Sequence, residues 1–189
     1  MIEIGFKKIE LEDKDLITHY FKHHTSRSCE RTFVNVYLWA RFYHVKFAEV
    51  EHTLVFRTED EDGFSFAYPA GEPENVKKAL DVLMVYSKER GVPFLMYTVT
   101  PDNFEYLEKW YPGRFEIEYV EGDADYVYES EKLATLSGKK LHSKRNHVNK
   151  FKIVYADRWS YEPISEDNLE ECVQTGLKWR NENGCEEDE

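Results

Sequence analysis

Six Lys/Arg residues and two His fall within one short run, Leu136–Lys152, that contains no Asp or Glu. The whole chain carries a formal net charge of −12, so subtracting these six cations leaves −18 on everything else. Lysine and arginine side chains at this density can hold phosphates, arginine in a bidentate fork and lysine as a point charge, while His and Asn add hydrogen bonds. The residues expected to contact an anion are therefore Lys139, Lys140, His142, Lys144, Arg145, Asn146 and Lys150. If Ser137 caps a helix that starts at Gly138, Lys140 and Lys144 lie at i,i+4, as do Arg145 and Asn149. Leu141, Val148 and Phe151 then make a narrow apolar seam. Adjacent like charges on such a helix cost a few tenths of a kcal/mol per pair unless an anion offsets them. The competing reading is a solvated helix face whose cations pair within the chain, with Glu129, Glu131 or the acids of 166–171.

Other chemistries find little support. No two glycines stand two apart, so a dinucleotide fingerprint is missing, and Gly138-Lys139 has Leu133 where a phosphate loop needs its first glycine. Asp60, Asp62 and Gly63 mimic the middle of a calcium loop, but its twelfth position would be Pro69 instead of glutamate. His19 and His23 share a helix face beside His24, without the glutamate of a zinc-protease helix, and no metal site is expected. No G-x-S-x-G elbow occurs. Asp123 and Asp125 read as turn chemistry. No catalytic residue can be named from these patterns. Cys29, Cys172 and Cys185 are sparse and odd in number, which suits reduced thiols in the cytoplasm. The N-terminal residues lack the pattern of a signal peptide, and no apolar run approaches the roughly 18 residues that cross a bilayer.

The elements that must carry the basic run follow from periodicity and turn chemistry. Strand Phe6–Leu11 precedes a helix capped by Asp13 and running to His24, and Thr32–Tyr43 reads as a buried helix. Strands Val45–Val50, Thr53–Thr58 and Phe64–Pro69 follow, the last two joined as a hairpin across the acidic turn 59–63. Val76, Ala79, Leu80, Leu83 and Tyr86 give Glu74–Arg90 helical spacing. Phe94–Thr98 is a strand, and Pro101 opens a helix that Pro112-Gly113 ends. Strands at Phe115–Tyr119, Asp125–Tyr128 and Trp159–Ile164 and a last helix, Ser165–Asn183 with Ser165 as its cap, complete an α/β (α+β mixed-sheet) fold.

The segments Asp125-Tyr126-Val127-Tyr128, Leu136–Lys140 and Lys144–Phe151, with Thr32–Trp39 upstream, resemble a widespread bacterial family grouped with the C-terminal catalytic domain of phosphatidylglycerol lysyltransferase. The resemblance implies tandem GNAT-like acyltransferase modules that move an aminoacyl or acyl group to a lipid, a peptide or a small-molecule amine or hydroxyl. Residues 1–135 would be the N-terminal module, and 136–189 the basic helix, strand and helix leading into a second module, which is absent or truncated here. Acyl-CoA or aminoacyl-tRNA is the implied donor, although the Q/R-x-x-G-x-G/A loop for acyl-CoA is missing. The implied partners are tRNA, a nucleotide cofactor or an anionic lipid surface, with a location peripheral to the inner face of the membrane. A non-catalytic module that binds RNA or a partner protein through helix 139–152 is the alternative. The apolar seam is too thin for a helix embedded in lipid.

Overall fold

The structure is a computed structural model that describes residues 1–22, 28–61, 63–124 and 126–184. The chain divides into two compact units that meet between Asp125 and Tyr126. The boundary expected at 135/136 lies inside the second of them.

The first unit is a mixed five-stranded sheet in the order β1 (Lys7–Lys8), β2 (Lys46–Val50), β3 (Thr53–Asp60), β4 (Gly63–Ala67), β5 (Met96–Tyr97). All neighbours are antiparallel except β4 and β5, which run parallel. Parallel strands need a crossover, and helix α3 (Pro73–Glu89) supplies it. Alternation along the central strand sends side chains to both faces. Phe56 stands opposite Phe47 on the face covered by α1 (Lys14–Lys22) and α2 (Phe33–Ala40), where Ile17, Phe21 and Phe33 pack on them. Val55, opposite Ala48, joins Phe66 on the other face under Ala79, Leu83 and Tyr86 of α3. A third cluster ties α3 to α4 (Pro101–Trp110) through Val76, Leu80, Leu107, Tyr68 and Tyr111.

The α3 stripe is buried as its spacing requires, and Gly91, at φ +69°, ends that helix in a conformation other residues resist. The 59–63 turn closes the expected hairpin: Asp60 Oδ1 accepts the Gly63 N–H at 3.1 Å, and Gly63 sits at φ +138°. Arg57 crosses the α3 face between the rings of Phe6 and Phe64. It donates to Tyr86 Oη at 2.8 Å and to Glu59 at 2.9 Å.

Several expectations change. The first strand shortens to two residues because the chain turns at Leu11–Asp13. Asp13 closes that turn instead of capping the helix: it accepts the Glu10 N–H at 3.0 Å and Lys7 Nζ at 2.6 Å. The end of α1 expected at His24 lies outside the described residues, as do His23, Asp62, Asp125 and Cys185. Helix α2 starts at Phe33 with Thr32 Oγ1 accepting the Asn35 N–H, but it buries only Phe33 and Ala40. A helix apolar on every side can turn one face to a sheet; Val34, Leu38 and Trp39 stay exposed.

Residues 115–119 have the alternation of a strand but pair with no strand among the described residues, and Ile117 and Tyr119 are exposed. The stretches 126–128 and 159–164 are also outside any sheet. A period of two specifies extended backbone, whereas a ladder needs a second strand at hand. Within the second unit lie α5 (Ser130–Thr135), a helix that periodicity did not reveal, α6 (His142–Tyr155) and α7 (Leu169–Glu182). Asn168, not Ser165, precedes α7, and its Oδ1 accepts the Ser165 N–H at 2.8 Å. None of the described residues of this unit is buried.

The two units should answer truncation differently. Phe66→Ala is expected to lower unfolding free energy by about 3–5 kcal/mol, and Ile153→Ala, at an exposed site, by less than about 0.5 kcal/mol, measured by urea denaturation. Burial pushes the Asp13 carboxyl up, but the Lys7 and Glu10 hydrogen bonds and the Lys7 charge outweigh it and hold its pKa below the usual range. Because its folded pKa is depressed, Asp13 stabilises the fold above the ordinary carboxylate pKa, and the effect disappears as pH falls through the native value. Thermal midpoints measured on the acid side should fall less steeply with pH in Asp13→Asn than in the parent chain.

Candidate anion-binding surface

The basic run begins where α5 stops. Leu136 takes a left-handed conformation (φ 50°, ψ 36°) and Gly138 a positive φ of 89°, so the chain reverses in three residues. A single 3-10 turn, Lys139–Leu141, then leads directly into α6. The Arg145 guanidinium reaches back and donates from Nη1 to the Leu136 carbonyl, pinning this reversal to the first turns of α6. Arg145 is half-buried in consequence. One of the expected anion contacts is therefore also the brace of the turn.

Ser137 does not cap the helix. Neither the 3-10 turn nor α6 has a side-chain cap, and neither carries an acid in its first turn. A helix start leaves N–H groups without partners inside the helix and bears a partial positive charge. Here the exposed side chains of Lys139, Lys140, His142 and Lys144 surround that start. Asn146 Nδ2 lies 3.4 Å from His142 Nδ1, which orients both groups. The structure thus gathers five of the seven expected residues at one helix end, with Arg145 beneath them.

Lys150 is the exception. It sits six positions beyond Lys144, and at 100° per residue the two point about 120° apart around the axis. The intramolecular pairing reading also finds no partner: among the described residues these cations form no ion pair, and Glu129 instead pairs with Lys132 at 2.9 Å. The apolar seam is wider than expected. Phe151 packs on Tyr155 and Trp159, with ring centroids 4.8 and 5.5 Å away, and Arg158 lies over Tyr155. The signal for this stack, aromatics at 151, 155 and 159, was present in the sequence at i,i+4 spacing.

An acyl-CoA donor needs N–H groups and cations for its pyrophosphate. In the first unit the corresponding ground is the carboxyl end of parallel β4 and β5, where α3 and α4 begin. Glu72 stands at the N-cap of α3, Pro73 has no N–H, and Asp102 lies in the first turn of α4. These residues do not fit a pyrophosphate.

Residues 21–189 match the family described as phosphatidylglycerol lysyltransferase, C-terminal, and the chain belongs to that family. An uncharacterized protein of Mycoplasmoides gallisepticum is 32% identical over 80 residues, which are 42% of this chain and 25% of that protein. The crystal structure of a conserved protein of unknown function from Bacteroides thetaiotaomicron superposes with a TM-score of 0.81 at 33% identity. It covers 99% of this chain and 62% of the other. The chain therefore spans less than two thirds of the length of either relative. No helix among the described residues is long and apolar enough to cross a membrane.

Since the exposed lysines form no ion pairs among the described residues and Arg145 braces the turn, their substitutions should separate. Alanine at Lys139, Lys140 or Lys144 is expected to change stability by less than about 0.5 kcal/mol in urea denaturation, while Arg145→Ala lowers it by roughly 0.5–1.5 kcal/mol, the worth of one hydrogen bond.

Proposed function

We propose that this chain is the N-terminal part of an aminoacyl or acyl transferase related to phosphatidylglycerol lysyltransferase, and that the start of α6 holds the anionic backbone of its donor, an aminoacyl-tRNA. The observation that carries the reading is the uncapped, acid-free start of α6, ringed by Lys139, Lys140 and Lys144. Phosphates meet three ammonium groups there at the positive end of the helix dipole, in a chain that is otherwise strongly acidic. The mixed sheet, with its single parallel pair, suits the GNAT-like module that the family resemblance implies. The second unit would contribute α6 and α7 to a further module, since its apolar positions Val173, Leu177 and Trp179 are exposed and need a partner surface. Transfer itself then rests on positioning an activated carbonyl beside an acceptor.

A second reading is favoured by the carboxylates at the end of β4 and β5, which leave the first unit without a fit for acyl-CoA. In that reading the chain is a binding module that delivers RNA and performs no chemistry of its own.

Filter binding of total tRNA at several salt concentrations tests the proposal. Affinity should fall steeply with salt. Lys139→Ala, Lys140→Ala and Lys144→Ala combined should flatten the log–log slope by about 0.7–0.9 for each phosphate that is no longer neutralised. Lys150→Ala should matter less. Unchanged tRNA binding in the triple variant would overturn the assignment.

A further inference from the structure

Helix α2 meets the sheet through Phe33 and Ala40 and leaves its opposite side uncovered. At 100° per residue, Leu38, Phe42 and Trp39 fall about 140°, 180° and 240° around the axis from Phe33. The helical path continues past Ala40, because the Tyr43 N–H donates to the Trp39 carbonyl at 3.0 Å. Val34, Leu38, Trp39, Phe42 and Tyr43 are 49–67% exposed. The three rings hold one another: Trp39 lies 6.1 Å from Phe42 and 5.8 Å from Tyr43, and Phe42 lies 4.9 Å from Tyr43, centroid to centroid. Rings already packed together have less freedom to lose when a partner covers them.

Charge and area say what covers this face. Residues 32–43 contain no acid, and Arg41 is their one charged residue. Copies of a chain with a net charge of −12 repel one another, so they approach most easily where each presents apolar side chains and no carboxylate. An aromatic side chain buries about 150–250 Å² in full, so five large side chains exposed to this degree offer roughly 500 Å². Two such faces bury on the order of 1,000 Å² together, the lower bound for a specific interface between proteins. Val34, Leu38 and Phe42 follow one another at i,i+4, a ridge of the kind that packs into the groove of a second helix.

We infer that two copies of this chain associate through α2, with Leu38, Trp39 and Phe42 of one copy against the same residues of the other. Such a contact is isologous and closes on a two-fold axis, so it stops at the dimer. An interface this small makes the association weak, with dissociation in the micromolar range. The contact involves neither α6 nor α7, so it stands whether or not α6 binds tRNA.

Sedimentation equilibrium of the chain across the micromolar range, at low and high salt, is the test. A reversible monomer–dimer equilibrium is expected, and salt should tighten it by screening the repulsion between two acidic copies. Leu38→Glu and Phe42→Glu should each weaken the dimer by about tenfold or more, because each places an unpaired carboxylate in the contact. Both side chains are exposed in the single copy, so neither change should shift the urea midpoint, read below the dissociation concentration. Leu177→Glu, on α7, should leave the dimer intact. A chain that stays monomeric throughout would overturn the inference, as would a dimer that survives both α2 changes or is lost with Leu177→Glu. A urea midpoint lowered by Leu38→Glu counts against it as well, since the face would then be packed within one copy. So does cosedimentation of the monomer with anionic vesicles that these two changes abolish, which would assign the face to lipid.

Discussion

Everything in the first unit depends on β3 being covered on both faces. Its alternating side chains commit Phe56 to one side and Val55 to the other, and neither can be buried unless a helix layer lies over each. Helices α1 and α2 meet the first demand, and α3 meets the second. The need for α3 on that face in turn makes β4 and β5 parallel, since a strand reached by a helical crossover returns in the same direction. That parallel pair brings the N-termini of α3 and α4 to one end of the sheet and so creates a cavity there.

The second unit obeys a different balance. Its described residues include no buried side chain, so local hydrogen bonds and short-range pairs hold its elements. The Leu136–Arg145 contact, the Lys132–Glu129 pair and the Phe151 aromatic stack are all of this kind. Exposed apolar positions occur on both α6 and α7, and α6 also carries the concentrated positive charge. The first suits a protein surface, the second a polyanion, and the same two helices can serve both because they present more than one face.

The helix starts of the two units carry opposite charge. Lysines ring the uncapped start of α6, whereas carboxylates ring the starts of α3 and α4. Helix dipoles are the same at all three. The side chains decide which charge gathers at each end: cations at the start of α6, carboxylates at the starts of α3 and α4.

Much of this was legible in the amino-acid order. The α3 stripe, the hairpin closed by Gly63, Pro101 at the head of α4 and the charge of 139–152 are local facts, set by backbone stereochemistry, periodicity and composition, and they reappear as expected. The family resemblance was legible for the same reason, through contiguous motifs. What the sequence could not decide depends on what lies beside a segment in space. Residues 115–119 alternate as a strand does, yet among the described residues no strand pairs with them. Thr32–Tyr43 is mostly apolar, yet a helix can bury only the face that meets the sheet. Asp13 looks like a helix cap, but Lys7 and the Glu10 N–H draw it into a turn. Arg145 was one cation among six until the chain reversal at Leu136 placed a carbonyl within its reach. Tyr68 and Tyr106 share no motif, because the crossover through α3 and the return along β5, and no spacing along the chain, bring them to one cavity.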